Sequence, residues 1–176
     1  MLLAAALVAL ALGVFALVNL FGRKAESWTY PDGLYSLSFA EVGWRVGAYP
    51  EGAALFLATP RSGGQSQCWA NVTASPLTPC GSSQQCLNAA VADMTFEGSN
   101  EAGFTLSRRE LSGVAIAETA YEKGGLYWRG ASFALPQPPG LEMHDIHCVA
   151  ALPVSEADKA AIETILGSLK FGPAGD

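Results

Sequence analysis

From residue 30 onward, apolar and polar positions alternate in short runs, and each run ends in a cluster of Gly, Pro, Asn or Ser. A period of two puts successive side chains on opposite faces and predicts strands over 34–39, 44–46, 54–59 and 67–74. The turn signals between them are Tyr30-Pro-Asp-Gly33, Val42-Gly43, Tyr49-Pro-Glu-Gly52 and the Gly/Ser stretch 60–66. Four more strands are predicted over 104–111, 114–121, 126–135 and 144–152. Ser112-Gly113 suits a two-residue hairpin turn and Lys123-Gly124-Gly125 a slightly longer one, while 136–140 (Pro-Gln-Pro-Pro-Gly) makes a longer, stiff loop. Strands joined by such short connections must run antiparallel, as a meander.

The period changes to that of a helix in two places. Ser82-x-x-Gln85 has the form of a capping box before a helix over 84–96, which presents Leu87, Ala90, Val91 and Met94 on one face. Ser155-x-x-Asp158 introduces a second helix over 156–166 that buries Ile162, Ile165 and Leu166, with Leu169 beyond it. Lys170-Phe171 is expected to add a short closing strand. The fold class is therefore α+β, a mainly antiparallel sheet layered with two helices. The domain spans 30–171, after a linker over 23–29 and before a tail over 172–176.

Ahead of this domain, residues 2–22 form an uncharged, apolar run of 21 residues closed by Arg23-Lys24, with Asn19 its one strongly polar side chain. As a helix the run reaches about 31 Å, the thickness of a bilayer's hydrocarbon core. A cleavable signal would carry a basic n-region and an apolar stretch of about 7–15 residues. Here no Lys or Arg precedes the run, and the nearest small-x-small pattern, Ala25-Glu26-Ser27, follows two basic residues. A retained transmembrane helix is expected, with the bilayer as a partner through residues 2–22. Arg23-Lys24 would hold the domain in the cytoplasm by the positive-inside tendency, which long domains override.

Composition narrows the partners. Beyond residue 27 there are 15 acidic and 8 basic side chains, a formal charge of −7, and no basic cluster with interleaved aromatics. Such a surface repels phosphate backbones, so nucleic acid is excluded as a partner. The four cysteines, Cys68, Cys80, Cys86 and Cys148, allow three pairings. Cys68 and Cys148 each lie on the apolar phase of a strand, and Cys80 and Cys86 flank a short segment entering a helix. The expected disulfides are Cys68–Cys148 and Cys80–Cys86, which place the domain outside the cytoplasm. Buried free thiols in a cytoplasmic domain are the alternative.

Tyr35-Ser-Leu-Ser-Phe39 followed by Gly43-Trp44, and the closing Ile162-Glu-Thr-Ile165-Leu-Gly-Ser168-Leu-Lys-Phe171, resemble the PsbP-like and DcrB-like group of small α/β/α sandwich proteins. The resemblance in element order covers most of 30–171. It implies an extracytoplasmic accessory, assembly or binding protein, often tethered to a membrane, with no shared catalytic residues to transfer. Unlike the lipoproteins of that group, this chain has no Cys after its hydrophobic segment, so lipidation there is excluded.

Few constellations carry chemistry. His144-Asp-Ile-His147-Cys148 contains both histidines of the chain, but residues three apart on a strand point to opposite faces. Solvated strand-end histidines are expected rather than a metal site or a Cys-His nucleophile, and a disulfide would remove the Cys148 thiolate in any case. Cys80 and Cys86 are too far apart for a Cys-x-x-Cys redox motif. Glu118 and Glu122 are read as solvated carboxylates rather than an acid/base pair, and Arg108-Arg109 as a solvated pair. Asn71-Val-Thr73 fits a glycosylation sequon, which matters only in a eukaryotic secretory route. Trp69, Tyr127 and Trp128, with Arg129, form a candidate partner surface, against the alternative that they are core or half-buried strand residues.

No catalytic, cofactor-binding or metal-ligating residue is therefore assigned, and no cofactor is expected. The function expected is that of a single-pass, extracytoplasmic accessory or binding protein of the inner membrane. It would serve as a non-catalytic subunit of a larger assembly of integral membrane proteins, such as a photosynthetic or respiratory complex. The alternatives are a secreted domain that binds a small ligand between sheet and helix and, behind it, a metal-dependent hydrolase using His144, Asp145 and His147. Intact mass of the mature protein tests the anchor and the cysteines together. The expected result is a chain that retains residues 1–26 and takes up alkylating reagent at four thiols only after reduction.

Overall fold

The alternating runs become strands at ten places among the residues described by the computed structural model, which are 27–49, 54–74, 84, 85, 88, 91, 99–137 and 140–172. In chain order they are β1 (Ser27–Thr29), β2 (Tyr35–Ser38), β3 (Trp44–Gly47), β4 (Phe56–Pro60), β5 (Gln67–Ala74), β6 (Ala102–Leu111), β7 (Val114–Lys123), β8 (Leu126–Gln137), β9 (Gly140–Ala151) and β10 (Lys170–Phe171). A 3-10 turn, Pro31–Gly33, follows β1, and one continuous helix, α1 (Glu156–Gly167), precedes β10.

Seven strands form one antiparallel sheet in the order β3-β4-β5-β9-β8-β7-β6. Its right half is the expected meander, β6 to β9. Both of the first two turns use two residues with positive φ: Ser112 (52°) with Gly113 (79°), and Gly124 (61°) with Gly125 (79°). That backbone twist matches the twist of paired strands, so Lys123 stays in β7 and the second turn is as tight as the first. The expected loop over 136–140 is corrected: β8 and β9 stay paired as far as Gln137↔Gly140. Pro136 is tolerated there because it lies beyond the last β7–β8 pair, Ile116↔Phe133, where no ladder to β7 needs its missing N–H.

A second sheet, β1-β2-β10, was not foreseen. Ser27–Thr29, assigned to the linker by sequence, pair with Ser38–Ser36 of β2, and the Trp28 ring packs 4.7 Å from that of Phe56. The apolar surface of one Trp is enough to draw this end of the linker into the fold. This small sheet and α1 together cover one face of the large sheet, here called the inner face. Phe56, Cys68, Phe133, Ile146 and Cys148 of the large sheet meet Tyr35 and Leu37 of β2 and Ile162, Ile165 and Leu166 of α1 in one buried core.

The outer face carries a smaller buried cluster, Val91 and Ala117 with Leu106 and Ala115 packed against them. Gln84, Gln85, Asn88 and Val91 are helical, and the rest of the expected 84–96 helix lies outside the described residues. The α+β antiparallel architecture holds, but among the described residues a three-stranded sheet supplies part of the covering layer that was expected from helices.

One covalent link lies within the large sheet, and one ion-pair network ties that sheet to α1. Cys68 and Cys148 face each other across β5 and β9 and are joined by a disulfide that closes a separation of 80 residues. On the same face Arg129 donates to Glu118 at 2.9 Å and to Glu163 of α1 at 2.8 Å, while Arg109 donates to Glu118 at 2.7 Å. Burial pushes the Glu118 carboxyl up, but the two guanidiniums outweigh it and hold it below the usual carboxylate range. Glu118 and Arg109 are thus an ion pair instead of solvated charges, because cross-strand neighbours bring opposite signs together.

Exchanging both Cys68 and Cys148 for Ala should lower the unfolding free energy by about 4 kcal/mol, chiefly by freeing the unfolded chain. Urea unfolding of the two proteins side by side measures it. Arg129→Met leaves Glu118 paired with Arg109 alone and breaks the sheet's link to Glu163 of α1, and should cost about 1 to 2 kcal/mol by the same assay. A loss under about 0.5 kcal/mol would show that Arg129 behaves as an ordinary surface charge.

Candidate functional site

Strand β9 places its two histidines on opposite faces, as period two requires, and each histidine organises a different cluster. His144 belongs to the inner face. It is fully buried, opposite Val72 of β5 and Phe133 of β8, with its ring stacked on that of Phe133 at 5.5 Å. Tyr35 Oη lies 3.2 Å from His144 Nδ1, and Tyr30 Oη donates to Glu142 Oε2 at 3.1 Å. Among the described residues the Nε2 atom of His144 has no hydrogen-bond partner, and the Glu142 Oε2 atom is 3.7 Å away. The expectation of a solvated strand-end histidine is corrected, since β9 begins at Gly140 and not at 144.

Burial governs the protonation of this cluster. It pulls the His144 imidazole down to about 4, and it raises the Tyr35 phenol, with smaller contributions from Tyr30 and from the Asp145 and Glu142 carboxylates. At neutral pH the imidazole is uncharged and Tyr35 keeps its proton. One proton is shared in the 3.2 Å contact between Tyr35 Oη and Nδ1; in the tautomer where Tyr35 donates it, the imidazole proton resides on Nε2, on the side of Glu142. Such a neutral, aromatic-walled histidine is a packing element, not an exposed base.

His147 belongs to the outer face, with Asp145 two residues before it. Its ring lies 5.5 Å from Trp69 and 6.5 Å from Trp128. Trp69 and Trp128 meet edge to face at 5.9 Å, and Tyr121 stacks on Trp128. Trp69, Trp128 and His147 are half-buried. Burial lowers the His147 imidazole, and the neighbouring Asp145 pulls it partly back. Gly130 makes this arrangement fit: a Cβ there would come within 3.3 Å of both the Ile146 carbonyl and Thr119 Oγ1, and 3.7 Å from His147 Nδ1. Beside the aromatic rings runs a polar row, Asn71, Asp145 and Ser132, in which Ser132 Oγ donates to Asp145 Oδ1 at 2.5 Å.

Of the four residues proposed from sequence as a partner surface, the structure brings together Trp69 and Trp128. Tyr127 and Arg129 lie on the inner face, Tyr127 half-buried against the core and Arg129 held by Glu118 and Glu163. His144 and the pair Asp145 and His147 do not converge on one cleft. Glu122 is exposed near the end of β7, away from the Glu118 network, and Arg108 is exposed on β6. Asn71 of the sequon is half-buried opposite Asp145. The proposed Cys80–Cys86 bridge lies outside the described residues, as does the hydrophobic run 2–22. No described helix is long and apolar enough to cross a membrane.

Sequence reading missed Tyr30, Tyr35 and Glu142 as companions of His144. A signal was present: Tyr35 shares its phase with Leu37 and Phe39, and His144 shares its phase with Ile146 and Cys148. A polar side chain on the buried phase of a strand needs a partner inside the core. Which partner it meets depends on the second sheet.

No protein-family model and no curated protein sequence matches the chain. Solved structures do. The cyanobacterial PsbP protein, CyanoP, of Synechocystis sp. PCC 6803 superposes with a TM-score of 0.52 at 10% identity, over 84% of this chain and 92% of that one. LpqN, a Mycobacterium tuberculosis protein involved in cell envelope biogenesis, superposes with a TM-score of 0.52 at 12% identity, over 85% of this chain and 86% of that one. Together with the element order, these similarities give the chain a PsbP-like fold.

Proposed function

We propose that this protein is a non-catalytic accessory or binding domain, anchored by residues 2–22 and facing an extracytoplasmic compartment, that holds a partner protein against the outer face of its sheet. The Trp69–Trp128–His147 cluster carries the proposal. Two tryptophans and an imidazole in mutual contact on a half-open sheet face are costly to leave in water, and such aromatic groups are enriched where proteins meet. The buried Cys68–Cys148 disulfide supports the compartment, because such bridges form and persist in oxidising surroundings. The PsbP-like fold, shared with an envelope protein, supports an accessory role by analogy of architecture. Tyr35, His144, Glu118 and Arg129 of the inner face are buried or ion-paired, which favours a structural use of them over catalysis.

Purification of the full chain from its native membranes in mild detergent tests this. The unsubstituted protein should co-purify with integral membrane subunits. Trp69→Ala with Trp128→Ala should reduce the co-purified material at least about tenfold, since central aromatic anchors dominate interfaces, while the domain stays folded. Recovery of the unsubstituted chain solely as a free monomer would sink the complex-subunit proposal.

A further inference from the structure

The joint between the two sheets has an unusual construction. The three-stranded sheet is seated on the large sheet through Trp28, which packs on Phe56, and through Tyr30 and Tyr35, which close over His144. Tyr30 and Tyr35 stack on each other at 5.2 Å and both present ring contacts to the imidazole, edge-on, at 4.9 and 5.2 Å. From β8 the neighbour is Phe133, from β5 Val72, and Phe171 of β10 closes on Tyr35 and Phe133. The titratable groups that face His144 are therefore Tyr30, Tyr35 and, from its own strand, Glu142.

A neutral imidazole fits this seat, and an imidazolium does not. With Tyr35 donating to Nδ1, a second proton on the ring has nowhere to go unless Tyr35 reverses from donor to acceptor. The other nitrogen already lacks a partner, and the Glu142 oxygen at 3.7 Å is engaged by Tyr30. A charge placed there would be buried among aromatic rings with Glu142, 3.7 Å away and shared with Tyr30, as its nearest counter-ion, and that burial is relieved when the surroundings open to water. All the covering rings come from the small sheet and its turn, which hold to the large sheet by side-chain packing with no shared ladder.

We propose that this joint is a proton-operated latch: uncharged His144 keeps the three-stranded sheet closed on the seven-stranded sheet, and protonation of His144 releases it. The released segment, β1 and β2, is the one that continues into the hydrophobic run 2–22, so the latch sets how firmly the domain is tied to its own membrane lead. Linkage gives the direction. The imidazole titrates near 6.5 when exposed and near 4 when enclosed, so the open form binds more protons between these values. Closure is at full strength above about pH 6.5 and is lost as the pH falls toward 4, by a factor of about 100 in the opening equilibrium.

Hydrogen exchange of the full chain in lipid nanodiscs, followed by mass spectrometry and expressed as protection factors, tests this between pH 7 and pH 4. Protection over 27–38 should fall about 100-fold while that of β7 and β8 is retained, and His144→Phe should abolish the fall. Unchanged protection at 27–38, equal loss across all strands, or the same pH response in His144→Phe would each overturn the latch. Should the substituted chain not fold, imidazole NMR of the unsubstituted protein decides the same point. The His144 resonances must titrate in step with the loss of protection, and titration with the small sheet still protected overturns the proposal.

Discussion

The pairing of β5 with β9 is the constraint on which the rest of the structure depends. Strands β3 to β5 and the meander β6 to β9 each pair through connections between consecutive strands. Eight residue pairs, from Gln67↔Val149 to Ala74↔Glu142, join them into one sheet wide enough to offer a continuous inner face. Closing that ladder brings together segments some 80 residues apart, which is entropically unfavourable for a free chain. The Cys68–Cys148 bridge makes the contact permanent. It also fixes the register, because a slip of β5 by one residue against β9 would turn Cys68, and every β5 residue in phase with it, to the outer face, away from Cys148.

Register then sorts the chemistry. On β9, Glu142, His144, Ile146 and Cys148 face inward, while Met143, Asp145 and His147 face outward. A group with the same intrinsic chemistry thus serves two purposes. The inward imidazole is part of the aromatic seat of the small sheet, and the outward one is part of a half-buried cluster with Trp69 and Trp128. The same division separates Arg129 and Tyr127, which hold α1 to the sheet, from the neighbouring Trp128, which faces away from it.

The two faces are consistent with a binding domain built for attachment at both ends. The inner face accepts the segment that arrives from the hydrophobic N-terminal run, and the outer face presents aromatic surface beside a polar row. Among the described residues, His144 and the pair Asp145 and His147 lie on opposite faces of β9 and converge on no common point. Folds of this kind host varied functions, so the inference rests on these particular residues.

The sequence by itself determined the strands, the tight turns, the capped C-terminal helix and the phase of each side chain. These follow from local periodicity and from the few residues that tolerate a left-handed turn, such as Gly113, Gly124 and Gly125. It also determined that Cys68 and Cys148 would face a core. Only the tertiary structure decided what each inward side chain meets. Trp28 stands in a stretch that reads as a linker, and Tyr35 and His144 are 109 residues apart; no local pattern couples such positions. Their contact exists because a separate small sheet folds over the large one, and that choice is made by the total apolar surface buried, not by any one segment's preference. The partition of Trp69, Tyr127, Trp128 and Arg129 between two faces has the same cause. Alternation fixes that neighbours diverge, and only the packed layers reveal which side is covered by helix and strand.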